Sequence, residues 1–119
     1  MKLAIVGSRS FSDYEILERE ICSHFKPEDI ELVISGGAVG TDTLAKQFAN
    51  KYQINLVELL PDWNKYGKRA GYIRNIDIIG SADYVYIFWD GSSPGTKQDI
   101  SLCKKLSKQY TVFMLNMIY

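Results

Sequence analysis

At 119 residues the chain is long enough for one domain with a substantial core and too short for two, so residues 1–119 are read as a single unit. Its 14 Lys plus Arg balance 14 Asp plus Glu; no overall positive field exists to hold a long polyanion, and nucleic acid is not expected as a partner. Cys22 and Cys103 lack any CxxC spacing, which argues against zinc or a disulfide and for reduced thiols in the cytoplasm, with no metal or cofactor expected.

The chain opens on Lys2-Leu3-Ala4-Ile5-Val6, apolar enough to imitate the start of a signal peptide. Ser8-Arg9-Ser10 interrupts it too early for a leader or a membrane span, so Leu3 to Val6 reads as a first strand and no membrane association is expected. The turn after it, Gly7-Ser8-Arg9-Ser10, offers two hydroxyls and a guanidinium. Arg9 either clamps a phosphate bidentately or points into water, with Ser12 capping the next helix. Tyr14, Leu17, Ile21 and Phe25 fall on one face of that helix. His24, the only histidine, stands at its end as a solvated residue rather than a catalyst.

A second strand over Leu32 to Ile34 runs into Ser35-Gly36-Gly37-Ala38-Val39-Gly40-Thr41-Asp42. The run lacks both the GxGxxG spacing of a dinucleotide turn and the lysine of a P-loop, yet three glycines before a helix make an anion nest. Thr41 and Asp42 are placed to cap that helix, and Asp42 reads equally as a contact to a ribose hydroxyl. Leu44, Phe48, Ala49 and Tyr52 give the helix its apolar face. A third strand, Ile54 to Leu59, precedes the long stretch from Pro61 to Asn75, which concentrates aromatic and basic groups and reads as a flap over a ligand. In it Trp63 or Tyr66 either stacks on a base or folds into the core, while Lys68 and Arg74 are the stronger candidates, Arg74 in the first turns of a helix carrying Ile73, Ile76 and Ile79.

The fourth strand, Tyr84 to Phe88, leads into Trp89-Asp90-Gly91-Ser92-Ser93-Pro94-Gly95-Thr96. Thr96 caps the following helix, and Gly95 and Thr96 offer N–H groups to a phosphate. Asp99, one turn further, is a general base or the intrahelical partner of a lysine. Ile100, Cys103 and Leu106 share a face, and Thr111 to Leu115 is a fifth strand. Strict alternation of five buried strands with helices predicts a Rossmann-like three-layer α/β/α sandwich with a parallel sheet. The order 3-2-1-4-5 is preferred over 2-1-3-4-5, because only it brings the three glycine-rich loops to neighbouring strand ends.

These residues together resemble the SLOG superfamily of Rossmann-like domains, in its YspA-like, cpYpsA-related branch, related to LOG phosphoribohydrolases and the DprA fold. The resemblance runs through Gly7-Ser8-Arg9, Phe11 and Asp13, then Ser35-Gly36-Gly37-Ala38, Gly40, Asp42 and Ala45. It continues over Pro61, Trp63, Tyr66-Gly67-Lys68, Ala70-Gly71, Arg74-Asn75 and Ala82-Asp83, and ends with Phe88-Trp89-Asp90-Gly91, Ser93, Gly95-Thr96 and Ile100. It implies a nucleotide pocket, to which Asn75, Gly91 and Ser93 are added. The first expectation is a sensor or sequestering protein for a small nucleotide-derived ligand of the ADP-ribose or NAD type, as in bacterial conflict systems. The alternative is a LOG-like N-glycosidase acting on nucleoside monophosphates, with Asp99 and Arg74 at the catalytic positions and Asp99 a shorter acid than the glutamate of that motif. A DNA-handling role by analogy with the DprA fold ranks third. LOG-type relatives pair, and the apolar end from Tyr110 to Tyr119 suits a homo-oligomer.

Overall fold

The computed structural model describes residues 1–115; residues 116–119, part of the apolar end to which pairing was assigned, lie outside the described residues. Five strands, β1 (Lys2–Gly7), β2 (Leu32–Ser35), β3 (Asn55–Glu58), β4 (Tyr84–Trp89) and β5 (Gln109–Met114), form one sheet in the order β3-β2-β1-β4-β5. All neighbours are parallel, with Leu3 opposite Val33 on one side and Tyr84 on the other. This is the expected Rossmann-like α/β architecture and strand order.

Around the sheet lie α1 (Tyr14–His24), α2 (Thr41–Lys51), a short α3 (Trp63–Tyr66), α4 (Ala70–Ser81) and α5 (Pro94–Lys105). The core is split by the sheet into two layers. Leu3, Ile5, Tyr86 and Phe88 pack with Leu17, Ile21 and Phe48 of α1 and α2 on one face. Ala4, Val6, Val85 and Ile87 pack with Ile78, Ile79, Leu102 and Cys103 of α4 and α5 on the other. The alternation of side chains along β1 and β4 is what allows each central strand to be apolar throughout and still serve both layers.

Four local expectations are corrected. Not all strands are buried: Asn55, Val57 and Glu58 of β3 are exposed, because the strand order leaves β3 and β5 as edges with one neighbour each. The stretch from Pro61 to Asn75 is not an open flap; Asp62 caps α3 by accepting from the Lys65 N–H at 3.1 Å, and a 3₁₀ turn over Gly67–Arg69 joins it to α4. Asp13, not Ser12, caps α1, accepting from the Ile16 N–H. The last helix begins at Pro94, two residues before Thr96, since proline fits the first helical position.

Among the described residues no helix is long and apolar enough to cross a membrane.

Candidate functional site

The loops after β1, β2 and β4 meet because their strands are neighbours at the centre of the sheet. Two contacts weld them together. The Gly7 position is so close to β4 that a Cβ there would lie 2.2 Å from the Phe88 carbonyl oxygen, and the Ser8 N–H donates to that same oxygen at 2.8 Å. From the second loop, the Thr41 hydroxyl and N–H both donate to the Ser8 carbonyl, at 2.8 and 3.2 Å. Gly40 has φ +76°, and a Cβ there would lie 2.3 Å from the Arg9 carbonyl oxygen. These residues are glycine or small because backbone meets backbone there.

Between the loops opens a cleft of about 520 Å³. From the first loop Gly7, Ser8, Arg9 and Ser10 line it; from the second, Gly36, Ala38, Val39 and Asp42. Arg74 and Asn75 of α4 and Asp90, Ser93, Gly95, Thr96 and Asp99 of the fourth loop and α5 complete the wall. Of the residues expected in the site, Ser35, Gly37, Gly40, Thr41, Trp63, Lys68 and Gly91 do not line the cleft. Gly40 and Thr41 hold its walls, and Ser35 is buried at the end of β2. Trp63 and Lys68 are exposed and lie outside the cleft. Ser10 lines the cleft beside Arg9, its hydroxyl in the turn where the sequence offered it, while Ala38, Val39 and Pro94 are lining residues that were not singled out.

Asp90 is occupied as an organiser of its own loop. Its carboxylate accepts from the Ser93 hydroxyl at 2.7 Å, from the Ser93 and Ser92 N–H groups at 2.8 and 2.9 Å, and from Ser10 at 3.2 Å. Those bonds, the one from Ser93 foremost, hold its carboxyl far below the usual range. Arg74 is held by donation from Nη1 to the Gly36 carbonyl at 2.9 Å and from Nε to the Asn75 side chain at 2.7 Å. Asp42 accepts from the Ala38 N–H at 3.1 Å, and burial raises its pKa against the pull of that bond and of Arg74. Asp99 is 7% exposed and its Oδ1 has no partner among the described residues. Burial first, and the nearby Asp42 second, push its pKa up to about 7, with Arg74 opposing.

The segment around Arg74 differs in character. Residues 63–76 carry Lys65, Lys68, Arg69 and Arg74 and not one acid. Trp63 is 59% exposed, with the edge of its ring over Gly71, and Tyr66 is 39% exposed with Lys65 Nζ 5.1 Å from its ring centre. The aromatics are therefore not folded into the core, which was the competing reading of Trp63.

Residues 1–66 match the YspA, cpYpsA-related SLOG family. The chain is 32% identical over 106 residues to the gene 61 protein of Mycobacterium phage D29, covering 81% of this chain and 82% of the phage protein. A solved structure of DNA processing protein A from Helicobacter pylori, described for its single-stranded DNA binding mode, superposes with a TM-score of 0.73 at 21% identity. It covers 98% of this chain, and the chain spans 66% of that protein's length, just under two thirds. This neighbour overturns two expectations: that nucleic acid is an improbable partner, and that the site serves a small nucleotide-derived signal, whether captured or cleaved at its glycosidic bond. The physical reason is that charge balance is a sum over the whole chain. Residues 1–62 carry six Lys plus Arg and ten Asp plus Glu, while residues 63–119 carry eight and four, so a neutral total hides a basic second half of the sequence.

Proposed function

Since the chain belongs to the YspA, cpYpsA-related SLOG family, we propose that it binds single-stranded DNA along the exposed basic aromatic segment from Trp63 to Arg69 and into the cleft that Arg74 lines. The observation that carries this reading is Trp63, a large aromatic side chain 59% exposed in a segment with four cations and no acid. Single strands are held by such pairings, because bases stack on aromatic faces without regard to sequence while cations track the backbone. A phosphate following the strand past Arg74 meets the first turn of α5, where Gly95 and Thr96 line the cleft and the helix dipole favours an anion. The shared fold of DNA processing protein A supports the same partner. A cytoplasmic place agrees with this partner and with Cys22 and Cys103 both being free thiols.

The test is fluorescence anisotropy with a labelled oligothymidylate of about 15 nucleotides at low salt. The parent protein binds the single strand more tightly than a duplex of the same length. Trp63→Ala weakens binding by roughly 5- to 100-fold, the worth of one stacked base, and Lys68→Ala with Arg69→Ala weakens it further. A parent protein that ignores the single strand, or a Trp63→Ala variant of full affinity, overturns the reading.

A further inference from the structure

Asp99 is a buried acid in the wall of a cleft that, on the reading above, receives a phosphate. Its Oδ1 is one of two buried side-chain polar atoms without a partner among the described residues; the other is Ser35 Oγ. Such orphans are uncommon in folded proteins, and each calls for a reason such as strain, chemistry or a bound water or ion. Asp99 lines the cleft from α5, one turn beyond Gly95 and Thr96, which line it too.

The groups around it decide what it can offer. Asp42 of α2 lies close enough to repel its charge and Arg74 of α4 to attract it. Cys103, one turn along α5, is a neutral thiol that burial pushes up to about 12. Val6 of β1 and Ile78 of α4 are apolar, and Arg9 and Asp90 line the cleft from the other loops. Asp42 lines the same cleft and is bonded to Ala38, and a charged carboxylate at Asp99 would repel a phosphate. A neutral carboxyl instead carries an O–H that a phosphate oxygen accepts.

We propose that Asp99 is a specificity-determining contact of this cleft, donating its carboxyl O–H to a phosphate oxygen of the bound strand, so that the strand is held when Asp99 is protonated and released when it ionises. The inference rests on the strand-binding reading and assigns that site its regulation. Burial and Asp42 place the release near neutrality, and one proton taken up with the strand makes affinity fall about tenfold per pH unit above that point.

The experiment is anisotropy with a 5′-hydroxyl oligothymidylate, which lacks a terminal phosphate that titrates in the same range. Binding is followed from about pH 5.5 to 8.5, on either side of the raised pKa. The parent loses affinity across that range, while Asp99→Asn, which keeps a donor and cannot ionise, binds at the higher pH about as tightly as the parent does at the lower. His24→Gln, on the α1 side of the sheet, keeps the parent profile. Identical profiles for the parent and Asp99→Asn, or a flat profile for His24→Gln, overturn the gating and leave strand binding standing. Loss of strand binding by the parent at every pH overturns the reading beneath it. Thermal unfolding of each variant separates a lost contact from a lost fold.

Discussion

Asp99 has a consequence for stability that is independent of any ligand. Its carboxyl is raised from 3.8 to about 7 in the folded chain, so between those values the unfolded chain gives up the proton while the folded chain keeps it. Stability attributable to this group is therefore highest in acid and falls as pH rises through that window. Asp99→Asn removes the penalty: relative to the parent it gains up to about 4 kcal/mol at pH 8 and little at pH 4, measured by urea unfolding at both. Asp90 has the opposite sign, since its lowered carboxyl contributes stability above the ordinary aspartate range and loses it only in strong acid. Two glycines separate loop architecture from ligand approach in the same way. Gly40→Val forces φ +76° and a contact of 2.3 Å on a β-branched residue and destabilises the fold by roughly 1–3 kcal/mol. A Cβ at Gly95 meets nothing within 4 Å, so Gly95→Val unfolds at the parent denaturant concentration and narrows the cleft, lowering strand affinity.

At the scale of elements, the site is a consequence of where α2, α4 and α5 begin or turn. α2 and α5 each start directly from a loop leaving a central strand, and α4 brings Arg74 alongside them through its bond to the Gly36 carbonyl. The sequence made the central strands legible, because apolar β-branched runs bounded by turn residues leave little else to choose. Residues 61–69 were not legible. α3 is a single turn capped by Asp62, too short to show a hydrophobic period, and a sequence pattern there reads as loop. The same shortness hid the fate of Trp63: one turn cannot bury an indole, so the ring lies over Gly71 and stays 59% exposed. The three glycine loops were recognisable as a group, yet only part of each reaches the cleft. Gly40 and Thr41 are consumed in holding one loop to the next, a role that composition cannot distinguish from ligand contact.

For the whole molecule, charge is the property most changed by folding. A formal net charge of zero predicts little long-range attraction to a polyanion, but Lys65, Lys68 and Arg69 are exposed in the short segment that leads to Arg74 in the cleft. A strand bound there neutralises a small number of phosphates. The logarithm of its affinity therefore falls with the logarithm of salt at about −0.7 per phosphate contacted, giving a slope near −2 to −3 for three or four contacts, read from titrations at several salt concentrations. A slope near zero would mean that stacking alone holds the strand, and one far steeper would require cations well beyond these four.

By itself the sequence determined the class of fold and the family, through periodicity and motifs local along the chain, and the order of strands, through the requirement that its three glycine-rich loops meet. Tertiary structure alone decided that Asp90 is spent on its own loop, that Asp42 and Asp99 share a wall of the cleft, and that Arg74 turns into that cleft while Lys65, Lys68 and Arg69 stay exposed. Burial and the field of distant neighbours are properties of residues brought together across the sheet, and no window of sequence contains them.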